Sequence, residues 1–117
     1  MSYQFAEELV GRTIVITGAG RSIGREMANA AAAAKMKVAI LEVNKANLDK
    51  AVTELKSSGG DVTGYLVDLQ DESQIIDAIA KIERDFGKIE VFVNNAAFHD
   101  AADLLGSSLE MWNKTFA

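Results

Sequence analysis

The feature that most restricts this chain is a fourfold alternation of two patterns. "TIVIT" (Thr13 to Thr17) is β-branched throughout, as in a strand buried on both faces. From Ser22 to about Ala34 the residues favour helix, with Ile23, Met27, Ala30, Ala31 and Ala34 on one face. "KVAILE" (Lys37 to Glu42) reads as a second strand. Asn44 is placed to cap a helix whose apolar face is Leu48, Ala51, Val52 and Leu55, and "SSGG" (Ser57 to Gly60) ends it. "VTGYLVD" (Val62 to Asp68) reads as a third strand. Asp71 with Gln74 resembles a capping pair ahead of Ile75, Ile76, Ile79, Ile82 and Phe86, and Gly87 suits the C-cap. "IEVFVNN" (Ile89 to Asn95) reads as a fourth strand, and "SSLE" (Ser107 to Glu110) opens a last helix with Met111, Trp112 and Phe116.

Strands alternating with helices imply a parallel sheet with helices on both faces. Right-handed crossovers restrict this to an α/β, doubly wound sheet of strand order 3-2-1-4. At 117 residues and 49% hydrophobic content the chain reads as one domain with a real core. It has no cysteine and one histidine, which argues against disulfides and against thiolate or histidine metal sites. A net charge of −5 without a basic cluster argues against nucleic acid. "ANAAAAA" (Ala28 to Ala34) is too short to span a bilayer, and "MSYQFAEELVG" lacks the pattern of a signal peptide. A cytoplasmic protein with no membrane partner is expected.

"TGAGRSIG" (Thr17 to Gly24) joins the first strand to the first helix. A strand running through glycines into a helix N-terminus makes an anion site, because the first-turn N–H groups are free and the dipole favours negative charge. Gly18, Gly20 and Gly24 are spaced G-x-G-x-x-x-G, one residue longer than the usual dinucleotide fingerprint, and no G-K-[ST] follows. Glu42 ends the second strand, about where an acid reaches a ribose 2′-hydroxyl.

"ELVGRTIVITGAGRSIGRE" (Glu8 to Glu26) resembles the start of a short-chain dehydrogenase/reductase. That family's T-G-x-x-x-G-x-G falls on Thr17, Gly18, Ser22 and Gly24. "VDLQDE" (Val67 to Glu72) is similar to the stretch whose aspartate contacts adenine, here Asp68 with Leu69 beside it. "VNNAA" (Val93 to Ala97) is similar to the family's N-N-A-G, and "SLEMWNKTF" to the helix beyond it. The resemblance implies a Rossmann-type fold binding a nicotinamide dinucleotide through Gly18, Gly20, Arg21, Ser22, Ile23, Gly24, Glu42, Asp68, Leu69, Asn95 and Ala96. Two positions depart from the pattern. Ser22 replaces the middle glycine, where a Cβ could crowd the pyrophosphate, and Ala97 replaces the glycine of N-A-G. Arg21 favours a 2′-phosphate and Glu42 opposes it, so the expected cofactor is NAD rather than NADP.

The resemblance also implies alcohol–carbonyl interconversion using a serine and a Tyr-x-x-x-Lys pair. Neither Tyr3 nor Tyr65 has a lysine four residues on. The expectation is therefore the cofactor-binding half of an oxidoreductase, truncated before its catalytic residues and inactive alone. A non-catalytic nucleotide-binding or interaction module, or a gene fragment, is the alternative. His99, beside Asp100, reads as a loop residue, because no nucleophile accompanies it. The fourth strand would form an open apolar edge, so self-association is expected.

Overall fold

The structure, a computed structural model, describes residues 4–20 and 22–96. Arg21, Ala97, His99, Asp100 and the helix expected from Ser107 lie outside the described residues. A short 3-10 helix (Gln4–Leu9) precedes β1 (Thr13–Thr17), α1 (Ser22–Ala33), β2 (Lys37–Glu42), α2 (Lys45–Ser57), β3 (Asp61–Leu66), α3 (Glu72–Phe86) and β4 (Ile89–Val93). The four strands are parallel in the order β3-β2-β1-β4, as the alternation implies. The 3-10 helix has no counterpart in the sequence reading. Among the described residues no helix is long and apolar enough to cross a membrane.

The period-2 geometry of strands sorts the core into two layers. Ile14, Ile16, Val38, Ile40 and Val62 face α1 and α2, where they meet Ala28, Ala31, Leu48, Ala51 and Leu55. Val15, Ala39 and Leu41 face the other way, onto Ala78 and Ile82 of α3. All five residues of β1 are buried, which explains why "TIVIT" shows no alternation.

Both expected N-caps are made. Asn44 Oδ1 accepts from the Asn47 N–H at 2.9 Å. Asp71 Oδ1 accepts from the Ser73 and Gln74 N–H groups at 3.0 and 3.4 Å. Gly87 caps the C-terminus of α3 with φ 83°.

Other details of the reading are corrected. The buried residues of α1 are Gly24, Ala28 and Ala31, while Ile23 is 72% exposed and Ala30 is exposed too. The helix turns its smallest residues to the sheet because they permit the closest approach. Ile76 is 62% exposed, since α3 buries Ala78 and Ile82 instead. β3 stops at Leu66 and β4 at Val93, two residues short of the expected ends. In β4, Ile89 pairs with Thr13 but Val91 pairs with Ile14, so Glu90 is an extra residue. The shift turns Ile89 toward the α3 side and Val91 toward the α1 side. Glu90 itself pairs with Arg12 at 3.0 Å, and Phe92 on this edge strand is 50% exposed.

The edge strand β3 is tied to α3 by the Tyr65 hydroxyl, which donates to Asp85 Oδ2 at 3.0 Å. Burial first, and then this bond, push the phenol from its ordinary 10.0 up to about 12. The folded state thus favours the protonated phenol. Its contribution to stability is complete below pH 10.0 and is lost as pH rises toward about 12. Wild-type protein is expected to lose thermal stability across that interval more steeply than Tyr65→Phe. Parallel melting curves of the two proteins across that range would disprove the role.

Candidate functional site

The three loops at the C-terminal ends of β1, β2 and β4 converge where the strand order reverses, the place where open parallel sheets bind ligands. β1 leads into this crevice through Gly18, Ala19 and Gly20. α1 follows, and its first-turn N–H groups have no helical partner. Close packing joins the loop to the end of β4. A Cβ on Gly18, which has φ 66°, would lie 2.8 Å from Ala96 Cα. A Cβ on Gly24 would lie 2.5 Å from both Asn95 Nδ2 and the Gly18 carbonyl oxygen. Both glycines are therefore required by packing within the chain, before any ligand is considered.

Polar bonds hold the same junction. Thr17, 1% exposed, accepts at Oγ1 from the backbone N–H groups of Asn95 and Ala96, each at 2.9 Å. Asn95 Nδ2 donates back to the Thr17 and Gly18 carbonyls, both at 3.3 Å. Residues 78 positions apart in the chain are thereby clasped at the mouth of the crevice.

Glu42 stands at the end of β2, only 9% exposed. Its Oε2 accepts from the Val43 N–H at 2.8 Å and, more weakly, from the Asn44 N–H at 3.4 Å. Its Oε1 lies against Gly20. Next to it, the Val67 N–H donates to the Glu42 carbonyl at 3.0 Å, which brings Asp68 and Leu69 alongside. Asp68 is fixed by three contacts. Its N–H donates to Gln74 Oε1 at 2.9 Å, its Oδ1 accepts from the Gln70 N–H at 2.9 Å, and its carbonyl accepts from the Asp71 N–H at 3.0 Å. Gln74 thus completes the cap by reaching Asp68 rather than the Asp71 backbone. Leu69 packs against the α3-side core.

The fold brings together Gly18 with Ala96, Gly20 with Glu42, and Gly24 with Asn95. Ile23, in the first turn of α1, is 72% exposed. The sequence reading placed Thr17 in the loop motif without giving it a role, and it overlooked Gln74 as a support for Asp68. A threonine immediately before the loop glycine was the available signal for the first.

Ser22 carries a cost that the sequence reading did not anticipate. Its side chain is exposed, and its backbone has φ 55°, in the left-handed region. The shown penalty of serine here is backbone strain. Ser22→Gly is expected to raise stability by about 0.5–1 kcal/mol, the left-handed strain exceeding the extra chain entropy of glycine. Urea unfolding of the two proteins tests this, and a lower midpoint for the glycine variant would refute it.

A family model described as short chain dehydrogenase matches residues 12–117. The chain belongs to the short chain dehydrogenase family. Mouse 17-beta-hydroxysteroid dehydrogenase 13 is 32% identical over 110 residues, which cover 94% of this chain and 36% of that protein. A short chain dehydrogenase/reductase of Colletotrichum higginsianum is 31% identical over 110 residues, 93% of this chain and 41% of the fungal protein. The crystal structure of a short chain dehydrogenase/reductase from Burkholderia phymatum in complex with NAD superposes with a TM-score of 0.87. It is 31% identical, and the match covers 93% of this chain and 39% of that one. The chain thus spans well under half the length of these short chain dehydrogenases. Its four-stranded sheet with helices on both faces is the Rossmann-type fold of the family, and family membership together with the NAD-bound relative supports a nicotinamide dinucleotide cofactor.

Proposed function

We propose that this chain is the NAD-binding part of an oxidoreductase that interconverts an alcohol and a carbonyl. The cofactor, when bound, would supply or accept the hydride. The residues present fit it, because the glycine loop, a buried acid and the Asn95–Ala96 turn share one crevice. The first turn of α1 would receive the pyrophosphate at its free N–H groups. Asp68 and Leu69, held by Gln74, would border the adenine, and Asn95 and Ala96 would border the nicotinamide side. This chain's residues orient and bind. The proton transfer falls to groups outside it, since these 117 residues contain no Tyr-x-x-x-Lys.

One observation carries the preference for NAD: the Glu42 carboxylate, held at Oε2 by its own following backbone with Oε1 turned to the loop. There it can accept from a ribose hydroxyl and repel a 2′-phosphate. Glu42→Ala is expected to narrow the ratio of NADH to NADPH affinity by about tenfold, the scale of one lost charge-assisted hydrogen bond. Titration of the fluorescence of each reduced cofactor gives the ratio. Equal affinities in the unmodified protein would defeat the reading.

A further inference from the structure

Gly20 occupies a variable position of T-G-x-x-x-G-x-G, so the family pattern does not explain it. Its φ is outside the left-handed region, so backbone conformation does not call for glycine either. Space does. A Cβ at this position would collide with Glu42 Oε1, would lie 3.0 Å from Glu42 Cδ, and would lie 2.8 Å from Asn47 Cβ. The carboxylate has little freedom to retreat. Oε2 is held by the Val43 and Asn44 N–H groups at 2.8 and 3.4 Å, and Glu42 is buried. Asn44 is itself pinned as the cap of α2.

We infer that Gly20 is a specificity-determining position that acts through Glu42: the missing side chain is what seats the carboxylate with Oε1 toward the loop. This rests on the reading of Glu42 as the acid facing the ribose. Any side chain at position 20 forces the carboxylate to turn, and cofactor choice weakens even though Glu42 remains. Asn47 Cβ adds a clash that is independent of Glu42. That clash disturbs the loop for both cofactors alike, so the ratio of affinities separates the two effects.

The test compares wild type, Gly20→Ala, Glu42→Asp and the double variant, using NADH and NADPH fluorescence titrations and urea unfolding without cofactor. Gly20→Ala is expected to lower the NADH-to-NADPH affinity ratio about tenfold, as for loss of the carboxylate contact itself. Adding Glu42→Asp, one methylene shorter, is expected to bring the ratio back to within about threefold of the Glu42→Asp single variant. An equal loss for both cofactors, or a double variant whose ratio stays more than about threefold below that of the Glu42→Asp single variant, overturns the inference. If wild type shows no preference for NADH, the reading of Glu42 fails, and the unfolding data decide this one separately. The midpoint shift caused by Gly20→Ala must then fall by about half or more in the Glu42→Asp background. An undiminished shift overturns the inference. If Gly20→Ala does not fold, a folded double variant supports it and an unfolded one overturns it.

Discussion

Gly18→Ala is expected to destabilise the protein by about 3 kcal/mol and to abolish cofactor binding with it. Two effects add. At φ 66° an alanine sits in the left-handed region, a strain of about 1 kcal/mol. Its Cβ would also lie 2.8 Å from Ala96 Cα, 3.2 Å from Ala96 Cβ and 3.2 Å from Ala96 N, so the turn after β4 must move. Such overpacking costs typically about 1–3 kcal/mol. Gly59 provides the control. It has φ 90° with nothing within 4 Å of the added Cβ, so Gly59→Ala should show the strain alone, about 1 kcal/mol. Urea unfolding of both variants checks the pair. Equal midpoints would show that Ala96 yields freely and that the loop and the β4 turn are not locked together. A small domain has about 5–15 kcal/mol in all, so a loss of this size removes a large share of it.

Thr17→Val tests the polar half of the same junction. Valine keeps the shape and removes the oxygen that accepts from the Asn95 and Ala96 N–H groups. An unsatisfied buried donor costs about 1–3 kcal/mol, and these are partly buried, so the expected loss is about 2–4 kcal/mol. Thr17→Ser retains the acceptor and loses one methyl group, worth about 1 kcal/mol. The serine variant should therefore be the more stable of the two, and hydrogen exchange at the Asn95 and Ala96 amides should accelerate in the valine variant only. A valine variant at least as stable as the serine one would mean that the turn finds other acceptors.

The element order, the parallel topology and both N-caps were legible because each depends on neighbours within a few residues. The pattern of β-branched runs between helical periods leaves few topologies, and Asn44 and Asp71 act on their own helices. Glu42 was legible too, since its place at the end of β2 follows from the strand. The buried face of α1 was legible only in part. Of Ile23, Met27, Ala30, Ala31 and Ala34, Ala31 is buried and Met27 and Ala34 pack against the core, whereas Ile23 and Ala30 are exposed and Gly24 and Ala28 are buried instead. Hydrophobicity says which residues would gain from burial, but the separation between helix and sheet decides which of them fit.

A doubly wound sheet with a glycine loop at its first turn follows from the amino-acid order alone, because local propensity, capping and strand–helix alternation agree on it. The tertiary structure alone decided what each part of the loop touches. Thr17 meets Asn95 across 78 residues, Gly20 makes room for Glu42, and the extra residue at Glu90 turns one half of β4 over relative to the other. Ser22 has φ 55°, and no local preference of serine announces it. These are contacts and strains between distant segments. Their energies exist only once the sheet has closed and set the distances, which is why no window of the sequence contains them.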